Sequence, residues 1–172
     1  YNFDYAFILF GDEPFINPNK ILKCLKEIKK NKIDNVFNVV TNLKLGDLKS
    51  PEIVKSIQNS KGYITDYYRI SKNNNALNKL KKSSGILNFK KKIIDKYKLL
   101  EIKKKEREEN IEQFRLLENK ILIKSIYIKD IYPSVNTKKE LLNLLALVSK
   151  DKKEISIFNK INKINKINKI EN

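Results

Sequence analysis

The run Ala6-Phe7-Ile8-Leu9-Phe10, followed by Gly11-Asp12-Glu13-Pro14 and then by Asn17-Pro18, decides how this chain is read. Residues 5–10 are apolar with little alternation, the pattern of a strand covered on both faces. Gly11 to Pro14 makes a tight turn, and Asn17 can cap a helix that starts at Pro18, a favoured first position. Ile21, Leu22, Leu25 and Ile28 then recur on one helical face while the lysines between them face water. A carboxylate pair, Asp12 and Glu13, is thereby placed on the loop at the carboxyl end of a buried strand. Open α/β sheets hold ligands at such loops, and Asp12 there can bind a metal ion. Its competing use is that of a turn residue bonding nearby backbone N–H groups, and Glu13 reads as a structural carboxylate.

Outward from this unit, Asp34-Asn35 resets the chain, and the β-branched Val36–Thr41 is the next strand, completing a β-α-β unit. Gly46, Asp47, Ser50 and Pro51 mark a loop, and residues 53–57 and 63–68 flank Ser60-Lys61-Gly62 as a hairpin. Residues 70–82 are Asn/Lys-rich and predict a surface loop, 85–89 a strand and 90–100 a helix. Residues 106–119 suit a single helix, with acidic residues in the first turn, apolar Ile111, Phe114 and Leu117, and Lys120 at the far end. Ile121–Ile128 reads as the last strand. Pro133 breaks the chain, and Thr137 with Glu140 makes a capping box for a helix carrying Leu141, Leu144, Leu145 and Val148. This alternation predicts an α/β, three-layer domain with a mostly parallel sheet over residues 1–150. Residues 151–172 read as a low-complexity Lys/Asn/Ile tail, since isoleucines recurring every three residues from Lys160 walk around a helix instead of forming one stripe.

At 172 residues and 41% hydrophobic content the chain can bury one ordinary core. There is no methionine, and a strand pattern begins almost at Tyr1, as expected of the C-terminal portion of a longer protein. Neither a secretory signal nor an apolar span of membrane length is apparent, so no membrane partner is expected. The single Cys24 allows no internal disulfide and has no histidine to activate it, which makes a catalytic thiol unexpected and a cytoplasmic protein the simplest reading. The net charge of +17 suggests nucleic acid at first sight. Yet only Arg69, Arg107 and Arg115 are arginines, and the lysines come with abundant Asn and Ile, as an A/T-rich coding sequence produces. Phosphate and base recognition favours arginine's planar fork, so no nucleic-acid partner is expected. Arg69 either meets a substrate carboxylate or phosphate or makes a surface ion pair. Lys55 reads as one solvated lysine among many, and Glu109, Glu112 and Arg115 as helix-surface pairs at i, i+3 spacing.

Six separated pieces, in order over residues 4–148, carry a family resemblance. They are Gly11-Asp12-Glu13-Pro14, Pro51-Glu52-Ile53-Val54-Lys55 with Gly62-Tyr63, Arg69, Gly85-Ile86-Leu87-Asn88-Phe89, Glu109 with Glu112-Gln113-Phe114-Arg115, and Val135-Asn136-Thr137. Together they resemble the later half of the 3-deoxy-manno-octulosonate (KDO) cytidylyltransferase family. The resemblance implies a GT-A-like nucleotidyltransferase fold and a Mg²⁺-dependent transfer of CMP from CTP to an acidic sugar, with release of pyrophosphate. It also implies a possible homodimer, with Asp12 as the main Mg²⁺ ligand, Asn136 at a second metal position where the family has aspartate, and Arg69 at the substrate. Three further departures accompany it. Phe10 replaces a sugar-contacting glutamine, Ser83 replaces a histidine, and Ile70-Ser71-Lys72-Asn73 replaces a proline-containing segment. The family's CTP-binding loop lies upstream of the part matched here. The alternative is a degenerate paralogue acting as a sugar- or nucleotide-binding or interaction module.

Overall fold

The computed structural model describes residues 2–14, 16–70, 79–129, 134, 135, 137–150, 152, 155, 156 and 159. The chain forms two compact units, Tyr1–Gly11 with Ile16–Ile131, and Asp12–Phe15 with Tyr132–Asn172. The larger unit contains β1 (Tyr5–Leu9), α1 (Pro18–Lys30), β2 (Val36–Thr41), a 3₁₀ turn (Leu45–Lys49), β3 (Lys55–Gln58), β4 (Tyr63–Tyr68), β5 (Leu80–Lys90), α2 (Lys91–Tyr97), α3 (Lys104–Glu109), α4 (Gln113–Glu118) and β6 (Ile123–Tyr127). The smaller unit contains α5 (Lys138–Val148). Among the described residues no helix is long and apolar enough to cross a membrane.

Local chemistry accounts for the elements that the sequence marks most clearly. Asn17 Oδ1 accepts the Asn19 N–H at 2.9 Å, Pro18 opens α1, and Lys29 and Lys30 complement the dipole at its end. The β3–β4 hairpin turns where expected, with Gly62 at φ +75°, a left-handed value that glycine reaches without steric cost. In the smaller unit Thr137 Oγ1 accepts the Glu140 N–H at 3.2 Å and its hydroxyl donates to Glu140 Oε2 at 3.1 Å, which starts α5.

The sheet is mixed, not mostly parallel. Its order is β1-β5-β2-β6-β4-β3, and β3 also pairs with the beginning of β5, so five strands close a ring with β1 outside it. β2–β6 is the one parallel pairing among the described residues. β1 and β2 do run the same way on either side of α1, but β5 lies between them, antiparallel to both. Hydrophobic patterning reports that a strand is covered and carries no information about which strand lies beside it.

β2 is buried at all six positions and divides the core. Val36 and Val40 pack with Phe89, Ile93, Phe114 and Leu116, whereas Phe37 and Val39 pack with Cys24, Ile28, Ile86 and Ile126. Between them Asn38 is fully buried and fully bonded. Its amide donates to the carbonyls of Ser84 and Ile86, while its oxygen accepts the hydroxyls of Ser83 at 2.6 Å and Tyr67 at 3.2 Å. The network lies where the β2–β5 register shifts between Asn38 and Val40, so side-chain groups supply bonds that a regular ladder would have made.

Several boundaries move. β5 begins at Leu80, inside the expected 70–82 loop, and residues 71–78 lie outside the described residues. The expected helix over 106–119 is two helices, because Asn110 adopts φ 52° and ends α3 in the left-handed conformation that asparagine tolerates. The last strand starts at Ile123 instead of Ile121, whose N–H closes the end of α4 on the Leu116 carbonyl at 2.8 Å. Most of the expected tail lies outside the described residues.

Candidate functional site

Within the smaller unit, the Asp12 turn and the segment leading into α5 are joined by the main chain. The Val135 N–H donates to the Asp12 carbonyl at 2.7 Å, two residues before the Thr137 cap. Asp12 is half-buried, and its carboxylate makes no hydrogen bond or ion pair with any described residue. Its competing use as a turn residue bonding nearby N–H groups is therefore not seen among those residues. Glu13 beside it is buried, at 8% exposure. Asn136, the other expected metal position, lies outside the described residues, although its neighbour Val135 is bonded to Asp12. Among the described residues no three His, Cys, Asp or Glu side chains group to hold a metal ion. A cation at Asp12 would draw most of its ligands from water and phosphate, a donor set that suits Mg²⁺.

Arg69 belongs to the larger unit, just past β4. Its Nε donates to the Glu109 carbonyl at 2.8 Å, Nη1 to Pro51 at 2.9 Å and Nη2 to Asn110 at 2.6 Å. Each nitrogen of the fork thus holds a main-chain carbonyl, and no carboxylate pairs with it among the described residues. The Asn110 turn that splits the expected helix is what presents two of those carbonyls.

Lys55 departs from its solvated reading, because its side chain is fully buried. The ammonium donates to the Ser50 carbonyl at 2.5 Å and to the carbonyl of Arg69. Burial holds its pKa below the ordinary lysine value. Lys55 and Arg69 consequently form one clasp over residues 50–51, 69 and 109–110. Sequence reasoning missed Lys55 because the chain is rich in lysine and the short strand offers no period to mark an inward position.

The expected i, i+3 pairs give way to a longer link. Arg115 Nε donates to Glu106 Oε2 at 2.9 Å, across the break between α3 and α4, and its guanidinium lies 4.8 Å from the Tyr97 ring centre. Glu106 is buried at 7% exposure, which makes this pair structural. Cys24 is fully buried and its thiol is pushed up to about 11 by desolvation, the opposite of an activated nucleophile.

Residues 2–131 match the model of a family described as cytidylyltransferase. A 3-deoxy-manno-octulosonate cytidylyltransferase of Rickettsia bellii is 30% identical over 151 residues, which cover 88% of this chain and 61% of that protein. One from Elusimicrobium minutum is 30% identical over 146 residues, covering 80% and 60%. The chain thus spans about three-fifths of the length of these curated relatives. Among solved structures, a CMP:2-keto-3-deoxy-manno-octonic acid synthetase complexed with CTP superposes with a TM-score of 0.78 at 23% identity, over 88% of this chain and 64% of that one. A Bacillus anthracis protein described as a putative glucose-1-phosphate thymidylyltransferase gives 0.58 at 12% identity, over 84% and 54%. At these identities the superpositions carry the fold alone, an α/β fold of the nucleotidyltransferase kind.

Proposed function

The chain belongs to the cytidylyltransferase family, and from that premise we propose that its protein transfers CMP from CTP to 3-deoxy-manno-octulosonate or a related acidic sugar, releasing pyrophosphate. The observation that carries this reading is Asp12, a half-buried carboxylate on a strand-end turn that no described residue claims. Asp12, with Asn136 nearby in the chain after Val135, would hold Mg²⁺. That cation would supply charge to offset the negative charge gathering on phosphate as the sugar hydroxyl displaces pyrophosphate. Asparagine in place of aspartate at 136 keeps an oxygen ligand but removes a charge. A homodimer is part of the same proposal.

The test uses protein extended to the length of the relatives, supplied with CTP, Mg²⁺ and a panel of 3-deoxy and nonulosonic acids. Release of pyrophosphate with at least one acid is expected. No release with any of them overturns the enzyme reading and favours the second one, a binding module that has lost chemistry, for which Asn136 is the specific motive. Asn136→Asp is expected to tighten Mg²⁺ binding in a calorimetric titration, and an unchanged titration would remove residue 136 from the site.

A further inference from the structure

α5 carries more apolar surface than the fold covers. Leu144 and Val148 are buried, at 0 and 6% exposure, and turn one side of the helix inward. Leu141, Leu142 and Leu145 remain 42, 59 and 45% exposed. Leu145 lies one turn from both Leu141 and Leu142, at i, i+4 and i, i+3, so the three side chains adjoin on one outward strip. A single exposed leucine is ordinary, whereas a contiguous patch marks a surface made for contact.

Lysine flanks this strip on both sides. Lys138 and Lys139 open α5, and Lys150, Lys152 and Lys153 follow its end. From Lys160 to Lys169 a further lysine recurs every third residue. Between Lys138 and Asn172 nine lysines stand against four acidic residues, and one of the four, Glu140, is engaged by the Thr137 hydroxyl. Lysine in place of arginine disfavours a site that reads phosphate or base geometry through a planar fork, but a diffuse anionic surface responds to charge alone. A leucine strip set among lysines is the composition of a helix that lies in the boundary between lipid headgroups and acyl chains. The expectation of no membrane partner came from the lack of a spanning segment, and a helix lying along the surface needs none.

We infer that α5 and the lysine-rich segment after it bind the surface of an anionic phospholipid bilayer, with Leu141, Leu142 and Leu145 entering the headgroup boundary and the lysines meeting lipid phosphate. The inference stands apart from the cytidylyl-transfer reading, and its test needs neither CTP nor metal. The 172-residue chain is cosedimented with phosphatidylcholine vesicles, with and without about one-third phosphatidylglycerol. Binding should be at least about tenfold tighter to the anionic vesicles and should weaken as salt rises. Leu142→Gln combined with Leu145→Gln keeps every charge and the helix propensity, and should weaken binding about tenfold. Leu22→Gln, at a 54% exposed position of α1, should leave binding unchanged. The chain contains no tryptophan, so Leu142→Trp supplies a single reporter, whose emission should move to shorter wavelength on the anionic vesicles only. No binding, equal binding to both vesicles, binding that survives the double leucine variant, or an unmoved reporter would each overturn the proposal. So would self-association through the same two leucines, which would make a second copy the occupant. Loss of vesicle binding in protein of the relatives' length would overturn it too, because the rest of the protein would then cover the strip.

Discussion

Arg69, just past β4, and Asp12, just past β1, occupy comparable strand-end positions, and the chain uses their charges in opposite ways. Every nitrogen of the Arg69 fork holds a main-chain carbonyl, and its own carbonyl accepts from the buried Lys55. The Asp12 carboxylate holds nothing among the described residues, although the Asp12 main chain is fixed by Val135. A charged side chain that is consumed by its own fold contributes stability. One that is held in place but left unpaired is available to a ligand. Residue type and strand-end location pick out candidates, and hydrogen-bond partners sort them.

Asp12→Asn tests the ligand side of this contrast and has the largest expected effect. In protein of the relatives' length, cytidylyl transfer should fall by at least about 100-fold, beyond what loss of an outer-shell partner costs at a metal site. Stability, read from the denaturation midpoint, should change by no more than about 0.5 kcal/mol, because no described bond is lost. A loss of stability with activity retained would make Asp12 structural and end the contrast.

The clasp predicts the reverse pattern. Lys55→Met keeps the buried stem but removes the ammonium that bridges the Ser50 and Arg69 carbonyls, and should cost about 2 kcal/mol at an unchanged denaturant slope. Arg69→Lys keeps the charge and loses the fork, so it should cost about 1.5 kcal/mol, within the range for hydrogen bonds to a charged group. Full stability in the lysine variant would mean that a point charge suffices and that the three carbonyl bonds carry no specificity.

Where the sequence was legible, a local rule was sufficient. Asn17-Pro18, the Thr137–Glu140 box and the Gly62 hairpin are each specified by neighbours within a few positions, and each forms as read. Pairing between distant strands was not legible. β5 enters between β1 and β2 through pairings that run from Thr41↔Lys82 to Tyr5↔Lys90, far apart in the chain, and nothing in the pattern of Val36–Thr41 names its neighbours. The site was half-legible for the same reason. Asp12 could be singled out from its turn, and the family pattern paired its turn with the Val135 segment, to which the main chain does bond. The partners of Arg69 come from two separate segments, one of them created by the Asn110 turn that helical periodicity ran straight through.

Cys24 offers the smallest and most discriminating test of how far the interior controls a titratable group. In the unfolded chain a thiol ionises at its ordinary value of 9.0, and in the folded protein burial raises Cys24 to about 11. Between those values the unfolded state binds fewer protons than the folded state, so stability from this group is complete below pH 9 and declines as pH rises towards 11. Lys55 acts in the opposite sense. Its folded pKa lies below the ordinary lysine value, so the unfolded state binds more protons in that window and its contribution rises with pH. A bare pH curve of the protein therefore mixes the two. The stability gap between the protein and Cys24→Ala removes Lys55 from the comparison, since both chains carry it. That gap should narrow by about 1 kcal/mol between pH 8.5 and 10.5, less than the limiting slope of about 1.4 kcal/mol per unit allows. A gap that stays constant would mean that the thiol titrates alike in both states, and that the packing of α1 on β2 does not exclude water from Cys24.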